Sequence, residues 1–380
     1  MSIGDIGAVI DSLEFDAVYG DTPSICHVSG DIYAIAYFGH LSDGWLCTVK
    51  ISSVGVMPAT IEDSWEFDVT HGEFPRILKV YDTIYAIVYT DTNVKGQVFT
   101  FSIANDGTIT KSMTATGKWS PDGANPQHFV KIADNVFAVV YMDASAHGWV
   151  QTIGISNLGA INNLDIDHLE FDGVEGREGF LCNIVGGYYA IAYRGPGTDG
   201  WLCTLTISDA GVIRDSVIAT FEFDTGTCVE PTIVRARDNY FAIAYSGPGA
   251  DGWLKIVEIS NAGLITDPAK DSFEFDVITG VKPWLYAMGD GYIAVSYTRA
   301  GNPLWVYTFL VDALGKLNST ILDTQVIDAG VCTFSEIINR DGNYFAIAYC
   351  GPDSDGWVAS FTIEMPVSAN TQHLMMIGIG

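Results

Sequence analysis

The stretch Tyr189-Ala-Ile-Ala-Tyr193, followed by Arg194-Gly-Pro-Gly-Thr-Asp-Gly200 and Trp201-Leu-Cys-Thr-Leu-Thr-Ile207, decides how this chain is read. Its closing tyrosine returns at Tyr37, Tyr89, Tyr141, Tyr193, Tyr245, Tyr297 and Tyr349, always 52 residues apart. A fixed period of this size marks repeated supersecondary units, each of which buries its apolar face only against its neighbours. A second marker keeps the same register: Glu14-Phe15-Asp16, Glu66-Phe67-Asp68, Glu170-Phe171-Asp172, Glu222-Phe223-Asp224 and Glu274-Phe275-Asp276. It is lost at Lys118-Trp119-Ser120 and altered at Val326-Ile327-Asp328.

Residues 228–276 read as one complete unit. Pro231 to Arg237 is strand A, Asp238-Asn239 a tight turn, Tyr240 to Tyr245 strand B, and Ser246 to Gly252 a loop. Trp253 to Ser260 alternates with period two as strand C; Asn261-Ala-Gly263 turns the chain where glycine supplies positive φ; Leu264 to Asp276 carries strand D. Four short strands per 52-residue period predict an all-β seven-bladed β-propeller of four-stranded antiparallel blades. The C-terminal unit has strands A, B and C at 333–338, 344–350 and 357–363 but no fourth. Residues 3–16 are therefore expected to be its outer strand, closing the ring. The propeller would span residues 1–364 as one domain, followed by an apolar tail at 365–380. That tail would pack on the ring, self-associate with a neighbouring subunit, or lead into a further domain.

In strand B the large residues of Phe241-Ala-Ile-Ala-Tyr245 fall on one face, and Ala242 and Ala244 on the other. Adjacent blades should therefore meet alanine face to aromatic face. The carboxylates of Glu-Phe-Asp are expected along the outer edge strand, where charge discourages edge-to-edge pairing.

Composition narrows the partners. The chain of 380 residues is 48% hydrophobic and carries 46 acidic against 18 basic residues, a formal charge of −28. Such a surface repels phosphate backbones, so no nucleic-acid partner is expected. No apolar run is long enough for a transmembrane segment. The N-terminal residues lack the basic and long apolar regions of a signal peptide, which fits an intracellular chain or one read without its leader. Seven cysteines without a C-x-x-C pair read as buried thiols.

The B–C and D–A loops emerge on one face and are the longer ones, so that face is expected to bind. Asp-Gly-Trp closes the B–C loop in four units, making Asp43, Trp45, Asp199, Trp201, Asp251, Trp253, Asp355 and Trp357 candidate ligand residues. An amphipathic indole beside a carboxylate suits a sugar ring, although Asp-Gly turns and gap-filling Trp explain the pattern structurally. Asp353 and Asp355 place two oxygens at alternate positions, the start of a calcium site that needs about six. Otherwise no cofactor is expected. The repeat breaks most at 91–126, where Asp91, Lys95, Lys118, Trp119 and Asp122 are candidate partner contacts.

The four-strand period and its closure resemble seven-bladed β-propellers as a class, over residues 1–363. The chain lacks the Gly-His and Trp-Asp marks of WD40 blades, the Gly-Gly of kelch and the YVTN-type repeat. Asp353-Ser-Asp355-Gly356 is faintly similar to the calcium loops of integrin-type blades, and the Trp-bearing blades look somewhat like those of propeller lectins. The resulting expectation is a non-enzymatic binding or scaffold propeller for protein assembly or adhesion, at a cell or virion surface or otherwise extracellular. The alternatives are a multivalent carbohydrate-binding propeller and an enzyme with a channel-mouth active site. A sugar module predicts equivalent open Trp/Asp pockets; an enzyme predicts one channel-mouth pocket lined by titratable groups from several blades.

Overall fold

The structure is a computed structural model that describes residues 2–93, 95–120, 123–317 and 321–366. Its strands form seven antiparallel four-stranded sheets, a seven-bladed β-propeller. Blade five shows the unit: strand A is Val229–Arg237, strand B Tyr240–Ser246, strand C Gly252–Ile259 and strand D Ile265–Asp276. The C–D turn takes Gly263 to φ +76°, the left-handed region where glycine carries no Cβ penalty. Blade seven takes strands A to C from Thr333–Asp341, Tyr344–Cys350 and Gly356–Thr362, and its fourth strand is Asp11–Asp16. Glu14 pairs with Trp357 and Asp11 with Ser360, so the N-terminal strand closes the ring. A Met365 N–H bonded to Asn343 Oδ1 extends the order just past the last strand. Residues 367–380, on which the self-association reading rests, lie outside the described residues. Among the described residues no helix is long and apolar enough to cross a membrane.

The core lies between blades. Ala34, Ala86, Ala138, Ala190, Ala242, Ala294 and Ala346 occupy one strand B position and are all fully buried. Ala190, Ala192 and Leu202 of blade four pack against Phe241, Ile243 and Tyr245 of blade five, and Ala34, Ala36 and Leu46 against Tyr85, Ile87 and Tyr89. The small face thus makes room for the neighbour's large one, as the alternation requires.

The Glu-Phe-Asp carboxylates do not sit idle along an outer edge. In blade four Trp201 pairs with Glu222 but Gly200 with Asp224, which leaves Phe223 as an extra residue in a β-bulge. A bulge re-aims side chains, and here it turns the aspartate toward the next blade. Tyr89 OH donates to Asp68 Oδ2 at 2.9 Å, Tyr193 to Asp172 at 3.1 Å, Tyr297 to Asp276 at 3.0 Å and Tyr349 to Asp328 at 2.9 Å. Tyr37–Asp16 and Tyr245–Asp224 repeat the clasp. A second aspartate, five residues earlier in strand D, accepts a backbone N–H from the following blade: Asp63 from Ile109 at 2.9 Å and Asp167 from Ile213 at 2.8 Å. Much of the acidity therefore fastens the ring.

Candidate functional site

The Asp-Gly-Trp residues occupy the face expected for binding. Trp45, Trp201, Trp253 and Trp357 are each half-buried at the first turn of strand C. A Cβ on Gly195 would lie 2.3 Å from the Trp201 ring, so the loop backbone rests on the indole edge. The aspartates are engaged: Asp43 hydrogen-bonds Glu66, Asp199 Glu222, Asp251 Glu274, and Asp355 Glu14. Partial burial and the neighbouring aspartate push each glutamate up, because two touching carboxyls hold a shared proton more easily than two charges. Asp353 has φ +60° beside that pair. Among the described residues no group of three or more His, Cys, Asp or Glu side chains is placed to hold a metal ion. All seven cysteines are free, and burial pushes the thiols of Cys47, Cys203 and Cys228 up.

Where the repeat breaks, the same place is rebuilt. In blade two Asp91 accepts from Gln97 Nε2 at 2.7 Å and lies 3.5 Å from Lys118 Nζ, and the Lys95 N–H closes the loop on it at 3.0 Å. Trp119 is only 3% exposed and donates to the Gln97 carbonyl at 2.9 Å. Asp122 lies outside the described residues. In blade three His147 Nδ1 stands 2.9 Å from Glu170, and Trp149 Nε1 donates to Asp143 at 3.1 Å.

The residues that sequence reasoning missed line the mouth of the central channel, on this same face. Strand A of every blade runs along the channel, and one of its positions, spaced by 52 residues, holds Ser24, Arg76, His128, Phe180, Thr232, Trp284 and Glu336. No two are alike, whereas the strand B alanine repeats in every blade. The position two residues earlier holds Thr22, Phe74, Pro126, Glu178, Glu230, Lys282 and Phe334. All but Pro126 have φ between 39° and 56°, at a bulge that opens strand A. Glycine would adopt that backbone at less cost, yet each place carries a side chain that lines the cavity or flanks it. The signal in the sequence is this contrast: one column that varies completely, and a second that varies widely, inside an otherwise regular repeat.

A structural role accounts for the acceptors in these columns. Strand A is the inner edge of each sheet, and its bulge frees N–H groups that need partners. Gln127 Oε1 takes the Gly179 N–H at 2.5 Å, Glu178 Oε2 that of Glu230 at 2.6 Å, and His128 Nδ1 that of Leu181 at 3.1 Å. Glu230 and Glu336 accept likewise from Lys282 and Ile25. Burial, with Arg76 nearby, drives His128 down to about 3, so it stays neutral and stacks on Phe180 at 3.8 Å. Phe180 meets Trp284 at 5.3 Å across the channel and helps to floor the pocket.

Edge satisfaction accounts for only part of the cations: Arg76 Nε–H donates to the Gln127 carbonyl at 3.2 Å, and Arg177 Nε–H to Glu175 at 2.8 Å. Arg76, Arg177, Arg194 and Lys282 line the mouth against Glu178, Glu230 and Glu336. The mouth thus has more bases than acids in a chain with 46 acids to 18 bases. Arg194 Nη2 lies 3.2 Å from Glu178, but its buried Nε–H has no acceptor. Lys282 Nζ stands 3.1 Å over the Phe334 ring, and burial pulls its pKa down. Burial pushes Glu230 up to about 7 despite Lys282, and Glu336 up to about 7 despite Arg76. The cavity of ≈ 310 Å³ is walled by Phe74, Phe180, Trp284, Phe334 and four prolines. Aromatic walls, a few placed polar groups and shifted carboxyls are what a small-ligand site needs.

No family model matches the chain, and no curated protein matches it. Solved structures of similar fold include two proteins provisionally named 6-phosphogluconolactonase. The one from Bacteroides fragilis is 12% identical with a TM-score of 0.60, over 81% of this chain and 85% of that one. The one from Bacteroides uniformis is 14% identical with a TM-score of 0.58, over 80% and 84%. Sqt1 from Chaetomium thermophilum is 12% identical with a TM-score of 0.56, over 90% and 82%. These likenesses show the fold alone. They overturn the expectation of a non-enzymatic scaffold or adhesion propeller, because propellers named as lactonases stand among the similar structures.

Proposed function

We propose that this propeller binds a small organic anion in the mouth of its central channel. The observation that carries the reading is the surplus of cations there, with the Arg194 Nε–H unpaired, in a chain of net charge −28. A buried donor without an acceptor costs about 1–3 kcal/mol, and a ligand oxygen would recover it. The aromatic and proline walls suit the carbon body of such a ligand. Calorimetric titration with inorganic phosphate and with 6-phosphogluconate tests the reading. Arg194→Gln and Lys282→Met should each weaken binding at least tenfold, as expected for a charge-assisted hydrogen bond. Unchanged affinity in both variants would sink the proposal.

A second reading adds turnover. The name 6-phosphogluconolactonase denotes action on a phosphorylated sugar lactone, which falls in the same ligand class, and Glu230 near neutrality suits a general base for water. Hydrolysis of 6-phosphogluconolactone above the background rate, lost in Glu230→Gln while phosphate still binds, would support it. A rate equal to background would reject it.

A further inference from the structure

We infer that the bound anion is an oxo acid, held at its acid group by Arg194 while the Lys282 amine attacks its carbonyl carbon and forms an imine. This inference rests on the channel mouth being an anion site, and it names the class of ligand. Lys282 differs from Lys79, Lys131 and Lys255, which are partly buried too. Lys79 Nζ donates to the Val28 carbonyl at 2.6 Å, Lys131 stands 3.2 Å from Asp134, and Lys255 3.1 Å from Asp224. Among the described residues Lys282 Nζ has neither an ion pair nor a hydrogen bond, and it rests 3.1 Å over the Phe334 ring. Trp284, Pro231 and Pro283 line the same cavity. An ammonium without acceptors loses more hydration than a ring face returns. Burial therefore lowers its pKa, although Glu230, Asp21 and Cys350 act to raise it. A desolvated amine in an apolar pocket is the form in which lysine serves as a nucleophile toward carbonyl groups.

The neighbouring blades supply the other groups such a reaction needs. Glu178, Glu230 and Lys282 hold one repeat position in blades four, five and six, and each carboxyl accepts the N–H of the next residue in the row. Glu178 Oε2 takes that of Glu230 at 2.6 Å, and Glu230 takes that of Lys282. Arg194 spends Nη2 on Glu178 and keeps its buried Nε–H for an incoming oxygen. Three successive blades thus offer a donor for an acid group, a carboxyl pushed up to about 7, and an amine. An α-oxo acid carries its carboxylate and its carbonyl on adjoining carbons. The lone pair of the neutral amine forms the C–N bond, and the carbonyl oxygen takes up the proton that the nitrogen releases. The C–O bond of this carbinolamine then breaks. Its oxygen leaves as water with a second proton, from Glu230, and the nitrogen pair closes the C=N bond of an iminium. No oxidant or reductant enters.

The test incubates the full chain at neutral pH with pyruvate and sodium cyanoborohydride, which reduces an iminium to a stable amine. Intact mass and peptide mapping follow the adduct, and calorimetry follows inorganic phosphate. The adduct should form on Lys282 at least about tenfold faster than on any surface lysine. Arg194→Gln should raise the half-saturating pyruvate concentration at least about tenfold and leave the limiting rate nearly unchanged, since it loosens the acid group and spares the nucleophile. Glu230→Gln should slow the limiting rate at least about tenfold. Lys282→Arg should abolish the adduct and, because it keeps the charge, bind inorganic phosphate within about threefold of the natural chain. Phosphate binding with no adduct on Lys282, or with one that forms no faster than on surface lysines or that Arg194→Gln leaves unchanged, would overturn the imine and leave the anion site standing. Absence of both phosphate binding and the adduct would overturn both.

Discussion

Removing one hydroxyl from the inter-blade clasp, Tyr89→Phe, isolates what holds neighbouring blades together. Tyr89 OH lies 2.9 Å from Asp68 Oδ2, and the ring is 5% exposed. Asp68 is already held by the Thr70 N–H at 2.9 Å, its hydroxyl at 2.6 Å and the His71 N–H at 3.1 Å, so the carboxylate stays ordered in the variant. The loss is then one hydrogen bond to a charged acceptor, about 2 kcal/mol. Unfolding entropy near 2.1 cal/mol/K per residue implies roughly 0.75 kcal/mol/K for a ring of this size, so Tm should fall by about 3 °C. Tyr141→Phe is the internal control. The preceding blade has Ser120 in place of the aspartate, and the Tyr141 hydroxyl is 3.4 Å from the neutral Gln151 amide, so the loss should be near 1 °C. The pH dependence follows from Asp68. Burial would raise its pKa, but the bonds from Thr70, His71 and Tyr89 outweigh burial and hold it below the usual carboxylate range. A depressed folded value means that this stability is present above the unfolded value and is lost as pH falls through the folded one. The Tyr89→Phe penalty should therefore be full at pH 7 and shrink toward pH 3. Scanning calorimetry at both pH values measures it. A Tyr89→Phe melt indistinguishable from the natural chain, or a Tyr141→Phe loss as large as that of Tyr89→Phe, would refute the clasp.

Ala242→Asp places a carboxylate without a partner at a fully buried contact between blades five and six, and should cost at least about 4 kcal/mol in urea unfolding; a loss below 1 kcal/mol would mean that the joint is looser than described. Glu336 supplies the opposite pH sign to Asp68. Burial moves it from its ordinary 4.5 up to about 7, so its contribution is complete below pH 4.5 and is lost as pH rises through 7, roughly 3 kcal/mol in all. Relative to Glu336→Gln, the natural chain should lose that amount between pH 4.5 and 8 in urea titrations, and parallel pH profiles would contradict the assignment.

The residues around the clasp show how far reading the chain could go. The Glu-Phe-Asp triplet is visible as a repeat, but its two carboxylates have different jobs that depend on a bulge. One extra residue opposite Trp201 sends Asp224 to the next blade and leaves Glu222 beside Asp199. Strand alternation alone places both on one face, so the edge-strand role was the natural expectation and the bulge overturned it. Asp-Gly-Trp was equally visible, and equally ambiguous until the partner of each aspartate was known.

What the sequence determined by itself was the architecture. A 52-residue period, strand B with alanine against aromatic, and a last unit short of one strand leave little besides seven blades closed by a strand within residues 3–16, which the structure narrows to 11–16. These are local or nearest-neighbour properties, and a repeat writes them out once per unit. The channel mouth is the reverse case. Arg76, Arg194, Glu230, Lys282 and Glu336 come from five blades and are far apart in the chain. Only closure of the ring brings them within one cavity, buries Glu230 and Glu336 enough to shift their protons, and leaves the Arg194 Nε–H facing no acceptor. Burial and long-range charge depend on where every other blade lies, and that is decided by the tertiary structure alone.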